Sequence, residues 1–88
     1  MEPIKVISSS QAITGEGRLM GASLDPGDNN GSVDIYDGTG ITGTLLLSIK
    51  APGNESKSEY LKEIIPFRTG LYVNFTDGNS PVCMIYWG

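Results

Sequence analysis

Glycine and proline interrupt this chain so often that a long helix has no room to form. The sequence contains twelve glycines and five prolines in 88 residues, and both residue types are unfavourable inside helices. The stretches between them are short, and apolar and polar residues alternate along most of them, as is typical of β-strands. We therefore expect an all-β fold: a small antiparallel β-sandwich or a jelly-roll-like barrel of seven to eight short strands.

The expected strands follow one another at intervals of roughly ten residues. They cover residues 3–9, 11–14, 18–24, 32–37, 44–51, 64–68, 71–76 and 82–87. In the strand at 44–51, alternation places Leu45, Leu47 and Ile49 on one face. Segment 58–63 fits either a helical turn or the edge of a strand.

Two glycine-containing segments predict turns. Gly38, Gly40 and Gly43 have the spacing of a dinucleotide-binding fingerprint. That fingerprint needs a helix that begins at the third glycine, whereas the residues after Gly43 alternate with a period of two. We therefore predict that these glycines form a hairpin loop and that the chain binds no nucleotide cofactor. The dipeptide Asp77-Gly78 predicts a second hairpin, between the last two strands.

The length of the chain allows one domain, over residues 1–88, with one modest core. Domains of this size often need disulfides, a metal or partner subunits for stability. Cys83 is the only cysteine, which excludes an intrachain disulfide, and the sequence has no histidine for a zinc site. Assembly is the remaining source of stability, so we predict a homo-oligomer.

The charge and hydropathy patterns disfavour several classes of partner. The net charge is −4, and the six basic residues are dispersed along the sequence, so we expect no nucleic-acid binding. No apolar run is long enough to span a bilayer, and we expect no membrane partner. The N-terminal segment lacks the features of a signal peptide. Together with the unpaired Cys83, this predicts synthesis in the cytoplasm.

Candidate metal-binding and catalytic groups are few. Asp25, Asp28, Asn29 and Asn30 gather oxygen atoms in one loop, but their spacing departs from that of a calcium-binding loop. A solvated turn is the favoured interpretation. General acid–base chemistry at neutral pH usually uses histidine, and Cys83 lies in mid-strand, where burial would raise its pKa and make it unreactive. We predict a non-enzymatic protein without catalytic, cofactor or metal sites.

The C-terminal strand is apolar on both faces. Val82, Met84 and Tyr86 alternate there with Cys83, Ile85 and Trp87. One face can fill the core, and the other must be covered by the opposite layer or by another chain. Tyrosine and tryptophan are enriched at protein interfaces. Trp87 therefore either caps its own core or lies in an interface, and the two alternatives carry equal weight.

Four segments that span almost the whole chain carry a resemblance to a known group of proteins. They are G-R-L-M-G-A-S at 17–23, V-D-I-Y-D-G-T at 33–39, G-T-L-L-L-S-I-K-A-P at 43–52 and I-P-F-R-T-G-L-Y-V-N-F at 65–75. With the short hydrophobic end, this pattern of strands and turns resembles small β-sandwich proteins from the structural-gene clusters of tailed bacteriophages. The resemblance brings no active-site residues. It implies a virion component made in the host bacterial cytoplasm: a capsid decoration or cement protein, commonly trimeric, that binds the major capsid protein, or a small neck or tail part.

A decoration protein must bind both its sister subunits and the capsid. As an interface hypothesis we assign seven residues: Ile4, Val6, Ile7, Tyr72, Ile85, Tyr86 and Trp87. The first three lie in segment 1–9, which we expect to be an N-terminal strand or an unpaired arm that adds to a sheet edge of a neighbouring protein. A function of a different class is a carbohydrate-binding module in which Tyr36, Tyr72 or Trp87 stack against sugars.

Overall fold

The structure, a computed structural model, describes residues 3–78 and 81–88, and it describes their side chains except those of Tyr60 and Lys62. These residues form eight strands and no helix. The strands are β1 (Ile4–Val6), β2 (Ser10–Thr14), β3 (Gly17–Asp25), β4 (Gly31–Asp37), β5 (Thr44–Ala51), β6 (Lys57–Phe67), β7 (Gly70–Asp77) and β8 (Val82–Trp87). The prediction of an all-β sandwich is confirmed, and segment 58–63 belongs to a strand.

The strands form two antiparallel four-stranded sheets. The first sheet has the order β1-β8-β3-β6 and the second has the order β2-β7-β4-β5. This arrangement of eight strands over two sheets is that of a jelly roll. The sheets are stacked so that β1 contacts β2 along one side, the β1/β2 side, and β5 contacts β6 along the other, the β5/β6 side.

One of the two predicted hairpins forms and the other does not. Strands β4 and β5 pair from Asp37 opposite Thr44 onward, so the segment with the three spaced glycines joins two antiparallel strands, as predicted. The hairpin at Asp77-Gly78 was a wrong prediction, because β7 lies in the second sheet and β8 in the first. Strand β7 already pairs with β2 on one side and with β4 on the other, so neither of its edges is open to β8.

The core lies between the inner faces of the two sheets. Its buried apolar residues are Val6, Ile13, Leu19, Ala22, Leu24, Val33, Ile35, Ile49, Ala51, Phe67, Leu71, Val73, Cys83 and Ile85. They come from all eight strands, and successive core residues within a strand are mostly two positions apart, which is the period expected of strands with one buried face. Burial of each large side chain stabilises the fold by about 1.5–3 kcal/mol.

The turns of the hairpin end tie the two sheets together. This end, as we name it, holds the β4–β5 hairpin, the β2–β3 turn and the β6–β7 turn. The amide of Gly15 donates to the carbonyl oxygen of Thr69 at 3.0 Å. The carboxylate of Asp37, at the end of β4, accepts from the amide of Thr69 at 3.0 Å and from that of Arg68 at 3.1 Å. A side chain of the second sheet is thus hydrogen-bonded to the turn that follows β6 of the first sheet.

Candidate assembly surface

Most of the strongly exposed large apolar side chains gather at one corner of the sandwich. The exposed fractions are 60% for Ile41, 52% for Leu45 and 46% for Ile64, and a fourth such residue, Ile7, is 66% exposed. Ile41 lies in the β4–β5 hairpin, Leu45 near the start of β5 and Ile64 near the end of β6. Strand β5 begins and β6 ends at the hairpin end, so these three belong to one corner, which we call the β5/β6 patch.

A bulge in β5 explains why Leu45 faces solvent. Leu47 pairs with Ile35, and Leu45 pairs with the next residue of β4, Tyr36. Leu46 is therefore an extra residue in the strand. The bulge shifts the alternation by one position and places Leu45 on the outer face, beside Tyr36. The prediction that Leu45 shares a face with Leu47 and Ile49 was therefore wrong at Leu45, because strict alternation cannot anticipate an inserted residue.

A larger irregularity in β6 brings out Ile64. Leu19 of β3 pairs with Ile65, and Gly21 pairs with Tyr60. The β6 residues between these pairs, 61–64, therefore stand opposite Met20 alone. The extra length allows the strand to return Ile65 to the core while Ile64 stays exposed.

Strand β5 also offers an open backbone edge. It is the last strand of the second sheet and pairs only with β4 among the described strands. Natural edge strands usually carry several charges, prolines or bulges that prevent pairing with other chains. Between Thr44 and Ala51, β5 carries one charge, Lys50, one bulge, at Leu46, and three consecutive leucines. The edge of β5 and the β5/β6 patch therefore lie next to each other on one side of the sandwich.

The opposite side of the sandwich carries the N-terminal residues of the interface hypothesis. Ile4 pairs with Ile85 and Val6 pairs with Cys83, so β1 is a strand of the first sheet. The alternative of an unpaired arm is thereby corrected: β8 had an open edge beside it, and pairing there buries Val6 in the core. Ile7, just after β1, remains strongly exposed.

The other residues of the interface hypothesis are distributed over the whole sandwich. Ile85 is fully buried in the core and cannot contact another chain without unfolding. Tyr86 lies on β8 in the first sheet and Tyr72 on β7 in the second, and both are partly exposed. The sheets therefore separate residues that the sequence hypothesis grouped together. The sequence signal of the β5/β6 patch is the apolar Ile41, which lies within the glycine-rich hairpin loop, where no core face exists.

Trp87 lies at the end of the core rather than on a flat outer face. Its ring packs against Phe67, with the ring centroids 6.4 Å apart. The indole Nε1 is buried and has no hydrogen-bond partner among the described residues. These contacts favour the core-capping alternative.

The predicted environment of the Cys83 thiol is confirmed. Cys83 is fully buried, and burial raises the pKa of its thiol to about 12.

In the loop after β3, Asp25 accepts from the amide of Gly27 at 3.1 Å, and Asn30 accepts from the amide of Gly53 at 3.0 Å. These oxygens therefore stabilise turns. In residues 3–78 and 81–88, no group of three or more metal-ligating side chains is close enough to hold an ion.

No family model, curated protein or solved structure matched the chain in comparisons with known proteins. None of the described segments forms a helix long and apolar enough to cross a membrane.

Proposed function

We propose that this chain is a non-enzymatic structural protein of a tailed-bacteriophage virion. The most specific form of the proposal is a capsid decoration protein that assembles with copies of itself, with a trimer favoured, and binds the capsid exterior. The sequence resemblance to phage structural proteins motivates the virion, and the surface of the sandwich supports assembly.

The observation that carries the proposal is the β5/β6 patch beside the open edge of β5. Three isoleucine and leucine residues, each about half exposed, lie in the segments that form this corner. Exposed apolar side chains grouped at one site are typical of surfaces that bind other proteins. The eight-residue edge of β5 supplies backbone donors and acceptors for pairing with a strand of a neighbour.

A second, different surface on the opposite side supports a ring. Ile7 and β1 lie on the β1/β2 side, away from the β5/β6 patch. A contact between two different surfaces of identical subunits is heterologous, and heterologous contacts that close form cyclic assemblies such as trimers. A twofold dimer would instead use one patch paired with itself.

Charge and topology are compatible with a decoration role. The net charge of −4 keeps free subunits apart in solution until apolar contacts and multiple sites favour binding. Jelly rolls occur in viral capsid proteins and also in lectins, so the topology alone does not select a function. A small neck or tail protein needs the same kind of surface, and it is the alternative within the virion.

The first experiment measures self-association of the purified chain by sedimentation velocity over a wide concentration range. Wild type should form an oligomer, and Leu45→Lys and Ile64→Lys should shift it to monomer, because each places a charge in the patch. Ser58→Lys is the matched control, since it adds the same charge to an exposed position near the other end of β6. Equal behaviour of all four proteins would contradict the proposal.

The second experiment locates the partner in the virion. Labelled wild-type protein is mixed with empty capsids and, separately, with purified tails of the phage that carries its gene, and pelleted. Binding to capsids and not to tails supports decoration, whereas the reverse supports the neck or tail alternative. Binding to neither overturns the virion proposal.

A further inference from the structure

Two tyrosines lie side by side on the outer face of the second sheet. Tyr36 of β4 and Tyr72 of β7 are register partners on the two central strands of that sheet. Register partners point to the same face, with their Cβ atoms about 5 Å apart. Their neighbours Ile35, Leu71 and Val73 are fully buried, so both tyrosines must point away from the core.

The hydroxyl groups of both tyrosines are available to a ligand. Within the part of the chain that the structure describes, neither phenol makes a hydrogen bond or a ring contact. Both residues are only partly buried. A tyrosine thus offers an apolar ring face and a polar end at the same site.

A second row of polar side chains runs next to the tyrosine pair. Asp34 is paired with Asn74 across the same two strands, and both lie two residues from a tyrosine, on the same face and about 7 Å along the strands. Asp34 accepts from the hydroxyl of Ser48 at 2.6 Å, and Asn74 accepts from that of Ser9 at 3.4 Å. These bonds orient the carboxylate and the amide, while one carboxylate oxygen and the amide N–H groups stay free for a ligand.

We propose that this surface, the tyrosine strip of Tyr36, Tyr72, Asp34 and Asn74, binds a neutral carbohydrate chain. A pyranose ring has an apolar face of C–H groups and a rim of hydroxyls. The ring faces of the two tyrosines can pack against the apolar face of the sugar. The carboxylate, the amide and the phenols can form hydrogen bonds with its hydroxyls. Successive sugar units lie across β4 and β7, with their hydroxyls towards Asp34 and Asn74.

Charge selects a neutral ligand over an anionic one. Asp34 is the only ionised group of the strip, and the whole chain carries a net charge of −4. A nucleic acid or an acidic polysaccharide would be repelled and would find no basic side chain in the strip. The strip itself contains no arginine, which is common in the centres of protein interfaces, and it borders the β5/β6 patch where Leu45 lies opposite Tyr36.

The test is a titration of the ¹⁵N-labelled protein, followed by amide chemical shifts, with four neutral probes: maltohexaose, cellohexaose, xylohexaose and chitohexaose, each to millimolar concentration. At least one should shift amides of β4 and β7. Tyr36→Ala and Tyr72→Ala should each weaken that binding by about tenfold or more, since stacking on an aromatic ring is lost. Tyr86→Ala, on the first sheet, is the control and should leave binding unchanged.

Two further variants keep the test decisive if an alanine substitution prevents folding. Tyr72→Phe keeps the ring and should retain most of the affinity, whereas Asn74→Ala removes the amide and should weaken binding. Absence of shifts with all four sugars overturns the proposal, as do shifts confined to the first sheet. Shifts of the strip that grow with protein concentration and not with sugar would assign it to a protein contact instead. None of these results depends on the capsid experiment.

Discussion

Replacing Asp37 with asparagine should weaken the link between the two sheets at the hairpin end and so lower the stability of the fold. The carboxylate of Asp37 accepts from the amides of Arg68 and Thr69. The amide of Thr69 is the largest cause of the lowered pKa of Asp37, and desolvation opposes it. The substituted side chain would keep a neutral acceptor oxygen but lose the negative charge that strengthens both hydrogen bonds.

The size of the effect follows from those two bonds. A hydrogen bond to a charged group contributes about 1.5–3 kcal/mol, and one between neutral groups contributes about 1 kcal/mol. Because the site is open to solvent, we take the lower ends of these ranges. Asp37→Asn should therefore lower the free energy of unfolding by about 1–2 kcal/mol at neutral pH. With a urea m-value of about 1 kcal/mol/M, the midpoint should fall by about 1–2 M.

The assay is urea denaturation followed by the fluorescence of Trp87, for wild type, Asp37→Asn and Asp34→Asn. Asp34→Asn is the matched control, because it removes the same charge from the same strand. The carboxylate of Asp34 accepts a hydrogen bond from one hydroxyl, whereas that of Asp37 accepts from two backbone amides. The free energy of unfolding of Asp34→Asn should fall by about half as much, about 0.5–1 kcal/mol, because only one hydrogen bond to a charged group is weakened there.

The difference in unfolding free energy between wild type and Asp37→Asn should depend on pH. The folded-state pKa of Asp37 is lowered, so its contribution is fully present above the unfolded-state value of about 3.9 and is lost as pH falls through the folded-state value. The gap between wild type and Asp37→Asn should thus be constant from pH 7 to about 5 and should narrow below about pH 4. Equal destabilisation by both asparagine variants, or a gap that does not depend on pH, would refute the reasoning.

Three further predictions concern single positions. Gly70→Ala should destabilise the fold by about 2 kcal/mol or more, because Gly70 has a φ of +145° and an added Cβ would overlap the carbonyl oxygen of Ile13. Gly40→Ala is the control: its added Cβ meets open space, so the urea midpoint should change little. Leu24→Ala should cost about 2–5 kcal/mol in urea unfolding by leaving a cavity in the core, and a smaller loss would contradict the burial of Leu24. Cys83, with its raised thiol pKa of about 12, should resist alkylation by iodoacetamide at pH 8 until urea unfolds the chain, and rapid labelling of the folded protein would contradict its burial.

The sequence predicted the fold class because its signals are local and repeated. Residues that interrupt helices, together with two-residue alternation, mark most of the strands, so these elements could be placed without knowledge of their partners. The exception is β6, whose segment 58–63 fitted two alternatives. The pairing of those elements is not local. Asp77-Gly78 has good hairpin chemistry, yet β7 is enclosed by β2 and β4, and such competition between strands is decided only in the folded chain.

The candidate surface was harder to predict than the fold, because it depends on two irregularities. An extra residue at position 46 turns Leu45 outward, and the excess length of β6 at 61–64 exposes Ile64. Neither bulge has a glycine or proline within it that would have marked it in the sequence. Conversely, Val6 and Ile85 are apolar residues of the interface hypothesis that the core uses, since hydrophobicity alone does not distinguish an inner from an outer face.

The central claim, that the β5/β6 patch makes this chain an assembling structural protein, is tested most directly by the mass of the purified protein in solution. Sedimentation equilibrium at rising concentration should give a mass that approaches a multiple of the 9.4 kDa chain, with three copies favoured, and Leu45→Lys should return it to a single chain. A wild-type protein that stays monomeric at every concentration would contradict the claim.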